Sequence, residues 1–287
     1  MPTTDPRLAI DLTGGVIRVV DGTLGGPMRC GSGGTQAGSL VDGKVVDPHA
    51  VGSALRQLLA RTEIEETRAL IAASDAVATF RVIKLPPGAG DQDVDGAVSR
   101  ELPMDPEKMS TQWVDVSDGN THRAVYAVAW DRSLVKGVAE AARMAGLEPV
   151  AIDLKSACVA RTVTEPACLV VDIASSPAEI VLIDGHVPQV WHSFRPDIAA
   201  GDDFGPALVE PLRSVLRFYK RRRDTQFDGS APIFIAGEQM LAARATAALS
   251  RQLEHPVAHL PVPPRIPPDI RYTTYLACLG LLMRRDS

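Results

Sequence analysis

What the chain lacks narrows its function first. No apolar run approaches the roughly 18–20 residues needed to cross a bilayer, and the longest, Tyr275 to Met283, is about half that. The N-terminus, Met1-Pro-Thr-Thr-Asp-Pro-Arg7, has neither a positive start nor an apolar stretch, so no signal peptide is expected and the cytoplasm is the expected compartment. There is no C-x-x-C pair. Cys30, Cys158, Cys168 and Cys278 are scattered and read as small buried hydrophobes. The histidines form two loose pairs, His186/His192 and His255/His259, without a cysteine or carboxylate at ligand spacing, so no metal site is expected. No basic excess exists either. Thirty Lys and Arg stand against 35 Asp and Glu, a net charge of −5, which argues against a nucleic-acid partner. No G-x-x-x-x-G-K-[ST] occurs, which excludes a P-loop.

What is present is an ordinary folded chain of 287 residues, 45% hydrophobic, enough for one large or two medium domains. Strand–turn–strand patterns occur at 7–20 and 168–183, and further strands near 69–85 and 111–130. Asp47-Pro48 opens a helix carrying Val51, Leu55, Leu58 and Leu59, with Asp as N-cap. Asp131 caps another, closed by Gly146. The spacing of Leu208, Leu212, Val215, Leu216 and Tyr219 predicts an amphipathic helix over 206–222, and a last helix is expected over 272–283. Gly31-Ser-Gly-Gly34, with no helix pattern after it, reads as a flexible turn. Strands alternating with helices mean α/β.

The most informative feature is an internal repeat. Leu8-Ala-Ile-Asp11, a small-residue turn and an apolar strand ending in Asp21-Gly22 match Leu169-Val-Val-Asp172, a turn and a strand ending in Asp184-Gly185. Each copy could begin one lobe of a duplicated architecture, although strand–Asp–turn–strand also arises by chance. Two such turns facing each other can cradle phosphates through backbone N–H groups, with the strand-end aspartates near a Mg²⁺. The other reading makes Asp11 and Asp172 turn formers that accept bonds from nearby N–H groups.

More segments accompany the repeat: Phe80-Arg-Val-Ile-Lys-Leu-Pro86 with Val98-Ser-Arg-Glu-Leu-Pro103, Ala141-Ala-Arg-Met-Ala-Gly-Leu-Glu-Pro149 with Asp153, Leu212-Arg-Ser-Val-Leu-Arg-Phe-Tyr219, and Ile235-Ala-Gly237. In this order, over nearly the whole chain, they resemble the actin-like ATPase superfamily and, within it, the PilM-like family of type IV pilus assembly platforms. The resemblance implies an actin-like (ribonuclease H-like) duplicated two-lobe fold. Residues 1–165 would be the first lobe, with an inserted α+β subdomain at about 30–130. Residues 166–265 would be a shortened second lobe, and 266–287 a C-terminal helix packing back on the first.

It also implies a nucleotide site, if retained, of Asp11, Thr13, Gly14 and Gly15 in the first phosphate turn, Asp172, Ser175 and Ser176 in the second, and Gly237 and Glu238 in the adenosine turn. ATP and Mg²⁺ would be the cofactors. Three departures imply that this binding is weakened or lost. Ala174 stands where the family has glycine, and its Cβ crowds a phosphate. Glu238 replaces the second adenosine-turn glycine. Only Pro196 to Gly205 separates Arg195 from the long helix, too little for the small subdomain that covers the adenosine.

The resemblance therefore implies a cytoplasmic scaffold recruited to the inner membrane face, with no catalytic residue carried over. Its partners would be a PilN-like bitopic membrane protein and other platform subunits, and self-association stays open. The partner's tail would dock near Pro86 to Pro103, as an extended peptide in a groove beside the inserted subdomain. The alternative is an active actin-like ATPase or small-molecule kinase. That would need a carboxylate such as Asp75 or Asp153, which serve equally well as caps. Arg217, Lys220, Arg221, Arg222 and Arg223 read as a solvated helix end, or else as a contact for an anionic partner.

Overall fold

The computed structural model describes residues 7–102, 105–117, 119, 122–174, 177–196, 204–220, 227–237 and 239–284. The first half of the chain builds β1 (Leu8–Asp11), β2 (Val16–Gly22), β3 (Met28–Gly34), a small hairpin β4 (Leu40–Val41) and β5 (Lys44–Val45), and α1 (Pro48–Arg61). It continues through β6 (Arg68–Ala73), β7 (Ala78–Leu85), α2 (Asp91–Glu101), β8 (Met109–Asp115), β9 (Arg123–Asp131), α3 (Arg132–Met144), β10 (Glu148–Leu154) and α4 (Lys155–Arg161). The second half supplies β11 (Ala167–Asp172), β12 (Ala178–Asp184), β13 (Val187–Phe194), α5 (Phe204–Tyr219), β14 (Ile233–Ala236), α6 (Gln239–Leu249), β15 (Val257–His259) and α7 (Leu276–Leu282).

Two five-stranded sheets carry the same topology. One runs β10-β6-β1-β2-β3, and the other, read in the same sense, runs β15-β14-β11-β12-β13. In each, the first strand pairs antiparallel with the second and parallel with the strand that follows the antiparallel ribbon. The repeat read in the sequence is thus a repeat of architecture. Register carries it further: Asp11 lies opposite Arg18, and Asp172 opposite Glu179.

The central strands of each sheet are buried on both faces, which explains why they read as nearly continuous apolar runs. On the outer face of the first sheet, Leu8, Ile10 and Ile71 pack under α1 and α3. On that of the second, Leu169, Val171 and Ile235 pack under α5 and α6. Between the sheets lie α4 and α7, whose Cys158, Val159, Leu276 and Leu279 join Ala9, Leu70, Val170 and Phe234 in one central core. The two helices cross so closely that a Cβ on Gly280 would lie 2.9 Å from Cys158 Cα. Only glycine allows that approach.

Helix starts follow the expected chemistry. Asp47 accepts from the N–H groups of His49 and Ala50, both at 3.0 Å, with Pro48 at the first helical position. Asp131 accepts from Ser133 N at 2.8 Å. The last helix is shorter than expected, because Tyr272–Thr274 form a separate 3-10 turn before α7.

Two expectations are corrected. Gly31 to Gly34 is no flexible turn: it is the end of β3, paired with β2 from Val16↔Gly34 to Gly22↔Met28. Gly31 and Gly33 lie under the end of α1, and a side chain on Gly31 would collide with Thr62. The inserted unit is also narrower than 30–130. It is the three-stranded sheet β7-β9-β8 with α2 on one face, while β3, α1 and β6 belong to the first large sheet and its outer layer.

Candidate functional site

The two strand-end aspartates meet between the sheets, and each has a cation of the chain's own beside it. Asp11 is buried at the end of β1. Its Oδ1 accepts from Thr13 N at 2.9 Å and Thr13 Oγ1 at 2.6 Å, and its Oδ2 faces Arg18 Nη1 at 3.4 Å. Asp172 Oδ1 accepts from Ala174 N at 2.9 Å, and Oδ2 pairs with Lys155 Nζ at 2.7 Å. Lys155 also pairs with Glu179 Oε2 at 2.6 Å. The side chains of Lys155, Asp172 and Glu179 are only 2%, 7% and 5% exposed. Arg18 reaches across to the other half of the chain, donating from Nη2 to Ala174 O at 2.8 Å.

All four carboxylate oxygens of Asp11 and Asp172 therefore have partners, and Arg18 and Lys155 already stand where a divalent cation would have to displace them. These residues do not fit a resident Mg²⁺. Among the described residues no group of three or more His, Cys, Asp or Glu side chains is arranged to hold a metal.

Electrostatics make this cluster strongly coupled. Burial works against the charge of Lys155, but Asp172 and then Glu179 outweigh it and hold the ammonium above its ordinary pKa. Glu179 is pushed up by burial, opposed by Lys155, with Asp172 adding repulsion. Asp75 joins from the loop after β6. It accepts from Ser156 N at 2.9 Å and from Ser156 Oγ, so it caps α4 from a distant part of the chain. Its own short 3-10 turn is capped by Ser74. Burial, opposed by these hydrogen bonds and reinforced by Glu179, pushes Asp75 up to about 7.

The other expected site residues are placed as follows. Gly15 is exposed, with open space around it, so its turn does not demand glycine. Gly14 is half-buried in the same turn. Gly237 is buried; a Cβ there would lie 2.5 Å from Ile173 Cγ1, so its glycine serves packing between the second turn and β14. Ser175, Ser176 and Glu238 lie outside the described residues, as do Pro103 and Arg221, Arg222 and Arg223. Arg217 is exposed and faces Glu210 at 3.8 Å, and Lys220 is exposed beyond the end of α5. Asp153 pairs with Arg161 at 2.6 Å instead of capping α4. Beside the turns a cavity of about 880 Å³ is lined by Arg18, Ala174, Gly237, His259, Arg271 and Thr273.

A second concavity, of about 660 Å³, opens between the three-stranded sheet and β10. Its apolar wall is the sheet face that carries Val114, Tyr126, Val128 and Trp130, and its other side is Val150 and Ile152 of β10 with Val135 of α3. The segment from Pro86 to Leu102 lies away from it. Its helix α2 covers the opposite face of the sheet, where Val94 and Val98 pack on Ile83, Val125 and Ala127.

Sequence reasoning missed Lys155, Glu179 and Arg18. The signal was present: Lys155 and Glu179 are single charges inside otherwise apolar segments, Leu154–Ala160 and Ala178–Ile183. A charge that such a run carries into the core must be paired there.

No family model matches this chain. No curated protein matches it. Sixty-four solved chains do. The similarities define the class: the chain has the actin-like ATPase fold. Within that class it is similar to a chain of the PilM–PilN type IV pilus biogenesis complex, with a TM-score of 0.73, 20% identity, and 97% of this chain and 98% of that one covered. The ethanolamine utilization protein EutJ from Carboxydothermus hydrogenoformans gives 0.55 at 15% identity, covering 99% and 91%. The cytoplasmic domain of EpsL, an inner membrane component of the type II secretion system of Vibrio cholerae, gives 0.54 at 11%, covering 97% and 95%.

Two outcomes are expected. Lys155→Met leaves Asp172 and Glu179 buried and facing each other, and should lower stability in urea unfolding by about 3–5 kcal/mol. Adding Glu179→Gln should recover part of that loss; an unchanged midpoint in the single variant would refute the pairing. The second concerns pH. Because folding raises the Asp75 pKa, the folded chain keeps a proton that the unfolded chain releases between about 4 and about 7. This contribution to stability is complete at low pH and fades as pH rises through that window, and Glu179 acts with the same sign. Asp75→Asn should therefore gain stability relative to the parent from about pH 5 to pH 8, by on the order of 1–3 kcal/mol. Thermal unfolding across pH measures it, and a pH-independent difference would reject it.

Proposed function

We propose that this chain is a PilM-like scaffold of a type IV pilus or related secretion platform. It works at the inner face of the cytoplasmic membrane and holds the tail of a PilN-like bitopic subunit. The observation that carries this reading is the open groove between the three-stranded sheet and β10. Val114, Val128, Trp130, Val150 and Ile152 give it an apolar wall suited to alternate side chains of an extended peptide. Trp130, which is half-buried, is of a residue type enriched among the anchors of interfaces. The docking surface is thereby moved from Pro86–Pro103 to the other face of the inserted sheet. Similarity to chains from a pilus complex and a secretion system supports the setting. No described helix is long and apolar enough to cross a membrane, and in this reading a membrane-borne partner supplies the attachment.

ATP binding is weakened or lost in this reading. The support is the pairing of Asp11 with Arg18 and of Asp172 with Lys155, which leaves the aspartates no role toward Mg²⁺.

Pull-down with the cytoplasmic tail of a PilN-like protein from the same cell should recover the complex. Val128→Glu in the groove should reduce recovery at least about tenfold, and Arg217→Ala, far along the chain on α5, should not. Loss of the complex in neither variant would place docking elsewhere. Calorimetric titration with ATP and Mg²⁺ should show no binding in the micromolar range; micromolar affinity with turnover would return the chain to the active ATPases.

A further inference from the structure

The groove carries charge as well as apolar wall, and its charge is mostly of one sign. Arg143, Arg161 and Arg284 line it, and Asp153 is the one carboxylate among its described lining residues. That carboxylate is already engaged: Oδ2 accepts from Arg161 Nη2 at 2.6 Å and Oδ1 from Leu154 N at 3.0 Å. The second arm of the same guanidinium, Arg161 Nη1, is buried and has no hydrogen-bond partner among the described residues. Burial works against the charge on Arg161, and Asp153 holds it in place, so the group is a fixed cation. The guanidinium side chain as a whole is 30% exposed, so it keeps a face toward the groove that an arriving acceptor can meet. A carboxylate suits this fork best, since it takes charge-assisted bonds in the guanidinium plane.

We propose, resting on the peptide-docking reading above, that the groove takes an extended peptide in which aliphatic side chains flank one Asp or Glu. The peptide carboxylate pairs with the exposed face of the Arg161 guanidinium, with Arg143 and Arg284 supplying the surrounding positive field.

The test pans a phage-displayed library of random decapeptides on the full chain. Enriched peptides should share an acidic residue at a fixed place between aliphatic ones. Binding of an enriched synthetic peptide should weaken about 10- to 100-fold on Arg161→Met. Replacing its acid by alanine should cost the parent the same factor and cost Arg161→Met nothing further. Circular dichroism checks that the variant folds. If it does not, Arg161→Lys, which keeps a cation for Asp153 but loses the second arm, takes its place. Enrichment without an acidic preference, or equal affinity for parent and variant, overturns this proposal and leaves the groove reading standing. No enrichment at all, or enriched peptides indifferent to Val128→Glu, overturns the groove reading itself and this proposal with it.

Discussion

The ammonium of Lys155 is the point on which the architecture depends. It begins α4, the helix that leaves the first sheet, and it ends between two carboxylates of the second sheet, at 2.7 and 2.6 Å. Removing a cation from water costs several kcal/mol, and one partner rarely repays it. Two partners do so here, and they need the cation equally. Asp172 and Glu179 are directly opposed across β11 and β12, where like charges repel. Neither strand could bury its acid without Lys155. The lysine therefore fixes how α4 enters the second sheet, and with it the central core that α4 shares with α7.

The duplication makes the asymmetry of this arrangement clear. The residue opposite the strand-end aspartate is Arg18 in the first copy and Glu179 in the second. In the first copy the acid is answered within its own ribbon, which leaves the guanidinium long enough to reach Ala174 O in the other half. In the second copy the facing residue is another acid, so the answer must come from the other half, as Lys155. Both cations, Arg18 and Lys155, thus come from the first half and reach into the second. The two halves are joined by charge as well as by apolar packing.

How much of this could be read in the sequence depended on the range of the interaction. Asp47-Pro48 and Asp131 announce their helices because a cap is settled within three residues. The repeat was legible because strand order is written in the chain order of apolar runs. Gly31 was misread because its reason lies about thirty residues further along, where Thr62, just past the end of α1, occupies the space a side chain would need. Asp75 looked like a cap and is one, but for α4, whose Ser156 it meets across a long stretch of chain. The groove was out of reach for a related reason. Alternation puts Tyr126, Val128 and Trp130 on one face of β9, but which face α2 covers is decided by packing. Within the expected docking segment, Pro86 to Pro103, α2 covers the opposite face.

These constraints bear on what such a fold can do. An actin-like cleft that switches on a nucleotide needs two arrangements of its halves separated by a few kcal/mol, with the ligand favouring one. Here Arg18 and Lys155 favour a single arrangement without any ligand. A phosphate-bearing ligand that drew these cations away would leave Asp11, Asp172 and Glu179 buried without them, and removing one partner of a buried pair costs about 3–5 kcal/mol. A ligand would have to bind the opened arrangement about a thousandfold better than the closed one merely to balance that. A groove asks for the opposite property. An extended peptide loses conformational freedom on binding, so a rigid receptor that loses none of its own gains affinity. In the proposed reading, the contacts of Arg18 and Lys155 that join the two halves count against a nucleotide switch and suit a rigid receptor.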